Sequence, residues 1–196
     1  DHAVLDSAGQ RNDTVLAAWA AVLARCEGAR MMVPAPEGIC RRRIGRVFAR
    51  EGIAPERLTF VAKAPRSEYL RLYNQIDLGL DTFPYNGHTT SLDSFWMGVP
   101  VVTLVGHTVA GRAGLCQLQN LGLPELAARS GEDYVRIAVE LAADLPRLAA
   151  LRAGMRSRME RSPLMNAERF ARHMDSAFRA MWRGYCNRRV AKKEGA

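Results

Sequence analysis

Lysine is nearly missing from this chain of 196 residues: three lysines stand against 25 arginines, so the net charge of +8 is an arginine charge. Cysteine is sparse too, at four residues (Cys26, Cys40, Cys116 and Cys186) with no C-x-x-C pair. That spacing argues against structural zinc and against a disulfide framework, and it fits a reducing, cytoplasmic setting. No apolar run approaches the ~20 residues that a membrane-spanning helix needs. The opening stretch, Asp1 to Asp13, has neither a signal-peptide nor a transit-peptide pattern, and it reads as the interior of a longer protein. Several chemical signatures are also lacking. Gly106, Gly111 and Gly114 do not make G-x-G-x-x-G, no G-K-[ST] follows, and there is no G-x-S-x-G, so a dinucleotide fingerprint, a P-loop and a hydrolase elbow are unsupported. No Asp-x-Asp is present to hold a divalent ion against a diphosphate, and His88 and His107 are too far apart for a helical metal pair.

What is present centres on Ile76 to Val105, which reads as strand, loop, helix, strand. Ile76, Leu78 and Leu80 form a short apolar strand ending at Asp81. A turn-rich loop with Pro84, Asn86 and Gly87 follows, then a helix opening near His88-Thr89-Thr90 and closing at Gly98-Val99-Pro100. The run VVTLV after Pro100 suits a buried parallel strand. In open α/β sheets, ligands bind at the carboxyl ends of the strands, where this loop lies.

The loop has the chemistry of an anion site. Gly87 allows close backbone approach, and a helix start presents N–H groups with positive dipole character. Thr89 and Thr90 add hydroxyls, His88 adds a donor, and Asp93, one turn on from Thr90, can accept from sugar hydroxyls. A plainer reading stays open: Thr90-Ser91-Leu92-Asp93 also fits a capping box that merely starts a helix. Arg66 and Tyr69, after Ala64-Pro65, can meet a nucleotide at the neighbouring strand end or be a surface arginine and a half-buried tyrosine. Asp81 is read first as an acidic loop cap.

Along the rest of the chain, residues 13–26 form an amphipathic helix capped by Asp13 or Thr14. Arg30 to Val33 and Leu58 to Val61 are strands, with a helix over Cys40 to Glu51 between them. A helix with Ser67 in a capping position follows Ala64-Pro65, and another spans Val109 to Leu121, where Cys116 is expected as a small core residue. Helices over 131–143, 145–160 and 166–186 complete the pattern, the last with an apolar stripe of Phe170, Met174, Phe178 and Met181. This alternation predicts an α/β fold: a Rossmann-like, doubly wound parallel sheet over 1–128, C-terminal helices over 129–187, and a basic tail over 188–196. The arginines at 41–43, 46 and 50 lie on a helix whose apolar face is Ile44, Val47 and Phe48, and read as a solvated face. They carry no zinc-finger spacing or aromatic–basic signature of a nucleic-acid surface.

A set of matching segments runs through most of the chain. They are Ala64-Pro65-Arg66-Ser67-Glu68-Tyr69, Asp77 to Thr82, Asn86-Gly87-His88-Thr89-Thr90 with Asp93, and Trp96-x-Gly98-x-Pro100-Val101-Val102-Thr103. Leu121 to Leu126, Ser162-Pro163-Leu164 and Met181-Trp182 continue them. Together they resemble the C-terminal catalytic lobe of the O-linked N-acetylglucosamine transferase family, which includes SPINDLY, over about residues 14–186. The resemblance implies the second Rossmann-like lobe of a GT-B glycosyltransferase, binding the UDP of UDP-GlcNAc without metal or cofactor. The reaction implied is inverting transfer of N-acetylglucosamine to Ser or Thr hydroxyls of proteins. By match, Thr89 and Thr90 hold the diphosphate with His88 beside it, Asp93 and Arg66 lie by the ribose, and Ala64 offers backbone groups to the uracil. Tyr69 stands where the family often has a histidine that packs on the base, and it keeps a flat ring. Gln10 falls where a lysine facing the diphosphate is usual. The acceptor-side catalytic residues belong to an N-terminal lobe outside this sequence, as do the tetratricopeptide repeats expected in the full-length chain. Two relatives of this reading stay open: a SPINDLY-type transfer of fucose from GDP-fucose, and a nucleotide-binding scaffold, which Gln10 favours. Nucleic-acid binding ranks last, and no membrane partner is expected.

Overall fold

The computed structural model describes residues 12–194. The chain divides into two compact units between Met159 and Glu160. In the first unit, strands and helices alternate as α1 (Asp13–Arg25), β1 (Met31–Pro34), α2 (Ile39–Arg50), β2 (Leu58–Val61), α3 (Arg66–Leu72), β3 (Gly79–Leu80), α4 (Thr89–Trp96), β4 (Val101–Leu104), α5 (Ala113–Leu121), β5 (Ala127–Ala128) and α6 (Gly131–Ala143), and the division falls within the last turn of α7 (Leu145–Arg161). Every strand pair is parallel. Among the described residues the strands form a two-stranded sheet, β1-β2, and a three-stranded sheet, β3-β4-β5.

The elements form for ordinary reasons. Val15, Leu16, Trp19, Ala20, Val22 and Leu23 bury one side of α1, the i, i+3, i+4 pattern of a core-facing helix. Its cap is Asn12, whose Oδ1 accepts from the Val15 N–H at 2.9 Å, rather than Asp13 or Thr14. Trp19 and Tyr134 are fully buried, and burying such a side chain contributes about 1.5–3 kcal/mol when its polar atom is satisfied. Here Trp19 Nε1 donates to Tyr134 Oη (3.1 Å), and Tyr134 Oη donates to the Asp81 carbonyl (2.9 Å), joining α1 and α6 to the end of β3. In β4, Val101, Val102 and Thr103 are buried, as expected for a central parallel strand. Helix α5 ends at Gly122, whose φ of +67° is the left-handed cap that favours glycine.

Some local expectations shift. Only Gly79 and Leu80 of the Ile76–Leu80 run are strand. Pro65, not Ser67, holds the N-cap position of α3. Cys116 is exposed, while its neighbours Leu115, Gln117 and Leu118 are buried, so it faces away from the core. The second unit contains α8 (Ala167–Glu194), longer than the predicted 166–186, so the basic run from Arg188 continues a helix. Its Phe170, Phe178 and Met181 are 58–67% exposed. No helix among the described residues is long and apolar enough to cross a membrane.

Candidate functional site

The carboxyl end of β3 opens into a loop whose shape is set by buried polar groups. Asp81 is only 4% exposed. One carboxylate oxygen accepts the Gly87 N–H at 2.7 Å, and the other accepts the Thr103 hydroxyl from β4 at 2.7 Å. Burying a carboxylate is costly unless it is hydrogen-bonded, and both oxygens are. Asn86 is fully buried and works in the same way. Its Nδ2 donates to the carbonyls of Thr82 (2.9 Å) and Leu104 (3.3 Å), and its Oδ1 accepts the Gly114 N–H at 3.4 Å. Asn12 Nδ2 donates to the Phe83 carbonyl at 3.0 Å, so the start of α1 is tied to the same loop. Gly87 also serves the packing of the loop itself. A Cβ there would lie 2.5 Å from Ser91 Oγ and 2.7 Å from Thr90 Oγ1. The glycine lets the loop fold tightly onto the start of α4.

Helix α4 begins at Thr89 with His88 at its N-cap, and no side chain caps it. The first intrahelical bond from this end is Leu92 N–H to the His88 carbonyl, 3.2 Å. The N–H groups of the preceding turn therefore lie outside the helical ladder, with the positive end of the helix dipole. His88 and Thr89 are exposed and Thr90 is half-buried. The capping-box reading of Thr90 to Asp93 does not hold, because Asp93 is engaged elsewhere. Its carboxylate receives Arg66 in a two-pronged pair, Nη2 to Oδ1 at 2.8 Å and Nη1 to Oδ2 at 3.3 Å. The Asp93 hydrogen bond raises the guanidinium pKa of Arg66 above its ordinary value. The pair spans from α3 to α4, so residues 27 positions apart in sequence share one edge of the crevice.

Tyr69 makes a second link. It is half-buried against a cluster containing Met32, Tyr73, Ile76 and Val99. Its ring meets Tyr73 edge-on at 5.3 Å, and the two hydroxyls are 2.5 Å apart. Tyr73 Oη also donates toward the Thr90 carbonyl, at 3.3 Å. Burial pushes the Tyr73 phenol far above its ordinary pKa, and the Tyr69 hydrogen bond adds to this. Ala64 lies in the loop between β2 and α3 and is half-buried. The structure thus brings Arg66, Tyr69, Thr90 and Asp93 together, with His88 and Thr89 beside them. Gln10 lies outside the described residues.

Sequence reading did not foresee the contacts of four residues in this assembly. Asn86 and Gln117 have no local signal, since their partners are distant in the chain. Gln117 Nε2 donates to the His88 carbonyl at 3.2 Å, and its Oε1 is buried without a partner among the described residues. Tyr73 was findable, four residues after Tyr69 on one helical ridge. Asp81 was noticed, but its grip on Gly87 was not. Among the described residues, no group of three or more His, Cys, Asp or Glu is placed to hold a metal ion. Chemically, the arrangement offers a helix start and hydroxyls to an anion, an ion pair able to meet polyol hydroxyls, and a tyrosine beside them.

The family model described as glycosyl transferase family 41 matches residues 11–174. A curated relative from Solanum lycopersicum, named probable UDP-N-acetylglucosamine–peptide N-acetylglucosaminyltransferase SPINDLY, is 36% identical over 177 residues, covering 88% of this chain and 19% of its own length. A UDP-N-acetylglucosamine–peptide N-acetylglucosaminyltransferase of Caenorhabditis elegans is 37% identical over 134 residues, covering 68% of this chain and 12% of its own. Among solved structures, a lysine-to-methionine mutant of the Thermobaculum terrenum O-GlcNAc transferase superposes with a TM-score of 0.81 at 40% identity, over 88% of this chain and 34% of that one. AviGT4, a glycosyltransferase of avilamycin A biosynthesis, superposes with a TM-score of 0.54 at 21% identity, over 88% of this chain and 50% of that one, a likeness of fold alone.

Proposed function

The chain belongs to glycosyl transferase family 41, and from that premise we propose that it is the donor-binding lobe of a longer protein O-GlcNAc transferase. It is a glycosyltransferase chain with the α/β, Rossmann-like architecture of the C-terminal lobe of GT-B enzymes. It spans 19% of the length of the SPINDLY relative from Solanum lycopersicum. The activity of the whole protein is therefore part of the proposal.

In this reading UDP-GlcNAc lies across the carboxyl ends of β2 and β3. The diphosphate sits at the start of α4, held by Thr89 and Thr90 with His88 beside it. Asp93 and Arg66 meet the ribose, Tyr69 packs on the base, and the backbone of Ala64 reads its edge. The observation that carries this is the uncapped start of α4, with its loop already pinned by Asp81. Preorganised donors aimed at developing charge stabilise a leaving group without rearranging during reaction. As the glycosidic bond to UDP breaks, negative charge grows on the β-phosphate, and the α4 N–H groups and threonine hydroxyls take it up. Transfer inverts the sugar carbon and needs no metal. The acceptor is a Ser or Thr hydroxyl of a protein, presented by an N-terminal lobe and by tetratricopeptide repeats of the longer chain. By the resemblance, Gln10 takes the position of a lysine that faces the diphosphate. Its neutral amide can donate there but brings no charge.

The test is calorimetric titration with UDP and GDP, without added metal. Saturable UDP binding at least tenfold tighter than GDP is expected. Preference for GDP would move the donor to a guanosine diphosphate sugar, and binding of neither by the folded chain would overturn the assignment.

A further inference from the structure

The arginine cluster of α2 does not behave as one solvated face. Two of its members are used locally. Arg41 Nε donates to the Ala35 carbonyl at 3.0 Å, its guanidinium lies 5.6 Å from the Phe60 ring centroid, and Glu37 is 3.8 Å away. Arg43 pairs with Asp13 at 2.5 Å. The other three, Arg42, Arg46 and Arg50, are exposed and have no acidic partner among the described residues, although Arg46 Nε donates to the Arg42 carbonyl at 3.4 Å. They stand at i, i+4 and i+8, a single ridge about 12 Å long.

Beside that ridge lies a groove of about 590 Å³ between α2 and β2, the end strand of its sheet. Arg42 and Arg46 form one wall. Gly45 and Ala49, also four residues apart, line it next to them, and a Cβ on Gly45 would meet nothing within 4 Å. The floor is apolar: Pro55, Leu58 and Phe60. A basic ridge, a small-residue ridge and an apolar floor, running in parallel, make up the counterpart of an amphipathic helix with acidic residues along one edge.

We propose that this groove docks an acidic amphipathic helix of a partner protein, independently of what the donor site binds. Acidic residues of the partner at i, i+4 spacing would meet Arg42 and Arg46, and the adjoining apolar row would cover Leu58 and Phe60. Gly45 would let the two helices approach closely. A nucleic acid fits less well. Glu37 and Asp13 already neutralise part of the cluster, Glu51 and Glu56 follow α2 closely in the chain, and phosphates would leave the apolar floor uncovered.

The probe is a fluorescent 16-residue helical peptide with Glu at i, i+4 and i+8 and Leu along the adjoining row, followed by anisotropy. A scrambled peptide of the same composition and a DNA duplex of 16 base pairs serve as competitors. Saturable binding is expected, weakened at least tenfold by Arg42→Glu/Arg46→Glu and equally by Gly45→Phe, which fills the groove from an open helical position. Unchanged melting temperature and unchanged UDP titration in both variants confirm that they fold. Failure of the parent to bind the ordered peptide, equal binding of the scrambled peptide, displacement by the duplex at matched concentration, or insensitivity to both variants would each overturn the proposal.

Discussion

The two sides of the crevice are built on opposite principles. The side at β3 and α4 is held from within, by Asp81, Asn86 and Thr103, all of them buried. The side at β2 and α3 is held at the surface, by Arg66 on Asp93, and by one tyrosine leaning on another. UDP-sugars and GDP-sugars share a diphosphate and differ in the base. In the proposed arrangement the inner network gives the diphosphate a site that needs no rearrangement, and the outer contacts leave the base side adjustable. Tyr73 hydrogen-bonds toward both, to Tyr69 and to the Thr90 carbonyl.

Removing the inner network should have the largest effect. Asp81→Ala strands the Gly87 N–H and the Thr103 hydroxyl, each worth about 1–3 kcal/mol when buried without a partner. A chemical-denaturation curve should show that loss. Gly87→Ala acts on the same loop sterically, and overpacking of this kind costs about 1–3 kcal/mol. Its melting temperature should fall, and UDP affinity should fall with it, because the start of α4 must shift. By contrast, Arg66→Ala should lower the denaturation midpoint less than either, since the Arg66 side chain is largely exposed although Asp93 is not.

Charge offers a smaller, sharper contrast. In the proposed arrangement, Gln10→Lys adds a cation on the diphosphate side only. It should tighten UDP several-fold and leave uridine binding unchanged, and a parallel titration of both ligands reads the difference. The smallest effect concerns pH. The folded-state pKa of Tyr73 is raised above the ordinary tyrosine value of about 10. The stability this represents is complete below pH 10 and is lost as pH rises above it. An ultraviolet phenolate titration should show Tyr73 ionising only as the protein unfolds, and Tyr73→Phe should remove that late step.

The loop between β3 and α4 was legible in the sequence because its signals are local. A strand end, a glycine-bearing turn and a hydroxyl-rich helix start sit within fifteen residues. Alternating strands and helices made the parallel architecture legible in the same way. The supporting residues were less so. Gly114 and Gln117 reach the loop from α5 through contacts 28 and 29 positions apart in sequence, and no periodicity encodes such a meeting. Thr90 to Asp93 shows the reverse error: a motif with a good local reading was claimed by Arg66 from another helix. The short strand β5, two alanines, was invisible because it carries no β-branched or aromatic signal.

The division of labour is tested most directly by one calorimetric experiment, with UDP and uridine titrated into the parent, Thr90→Ala and Arg66→Ala. The account predicts that Thr90→Ala weakens UDP about tenfold and leaves uridine unchanged, whereas Arg66→Ala weakens both by the same factor. Equal UDP affinity in the parent and Thr90→Ala, with both folded, would contradict the placement of the diphosphate at the start of α4.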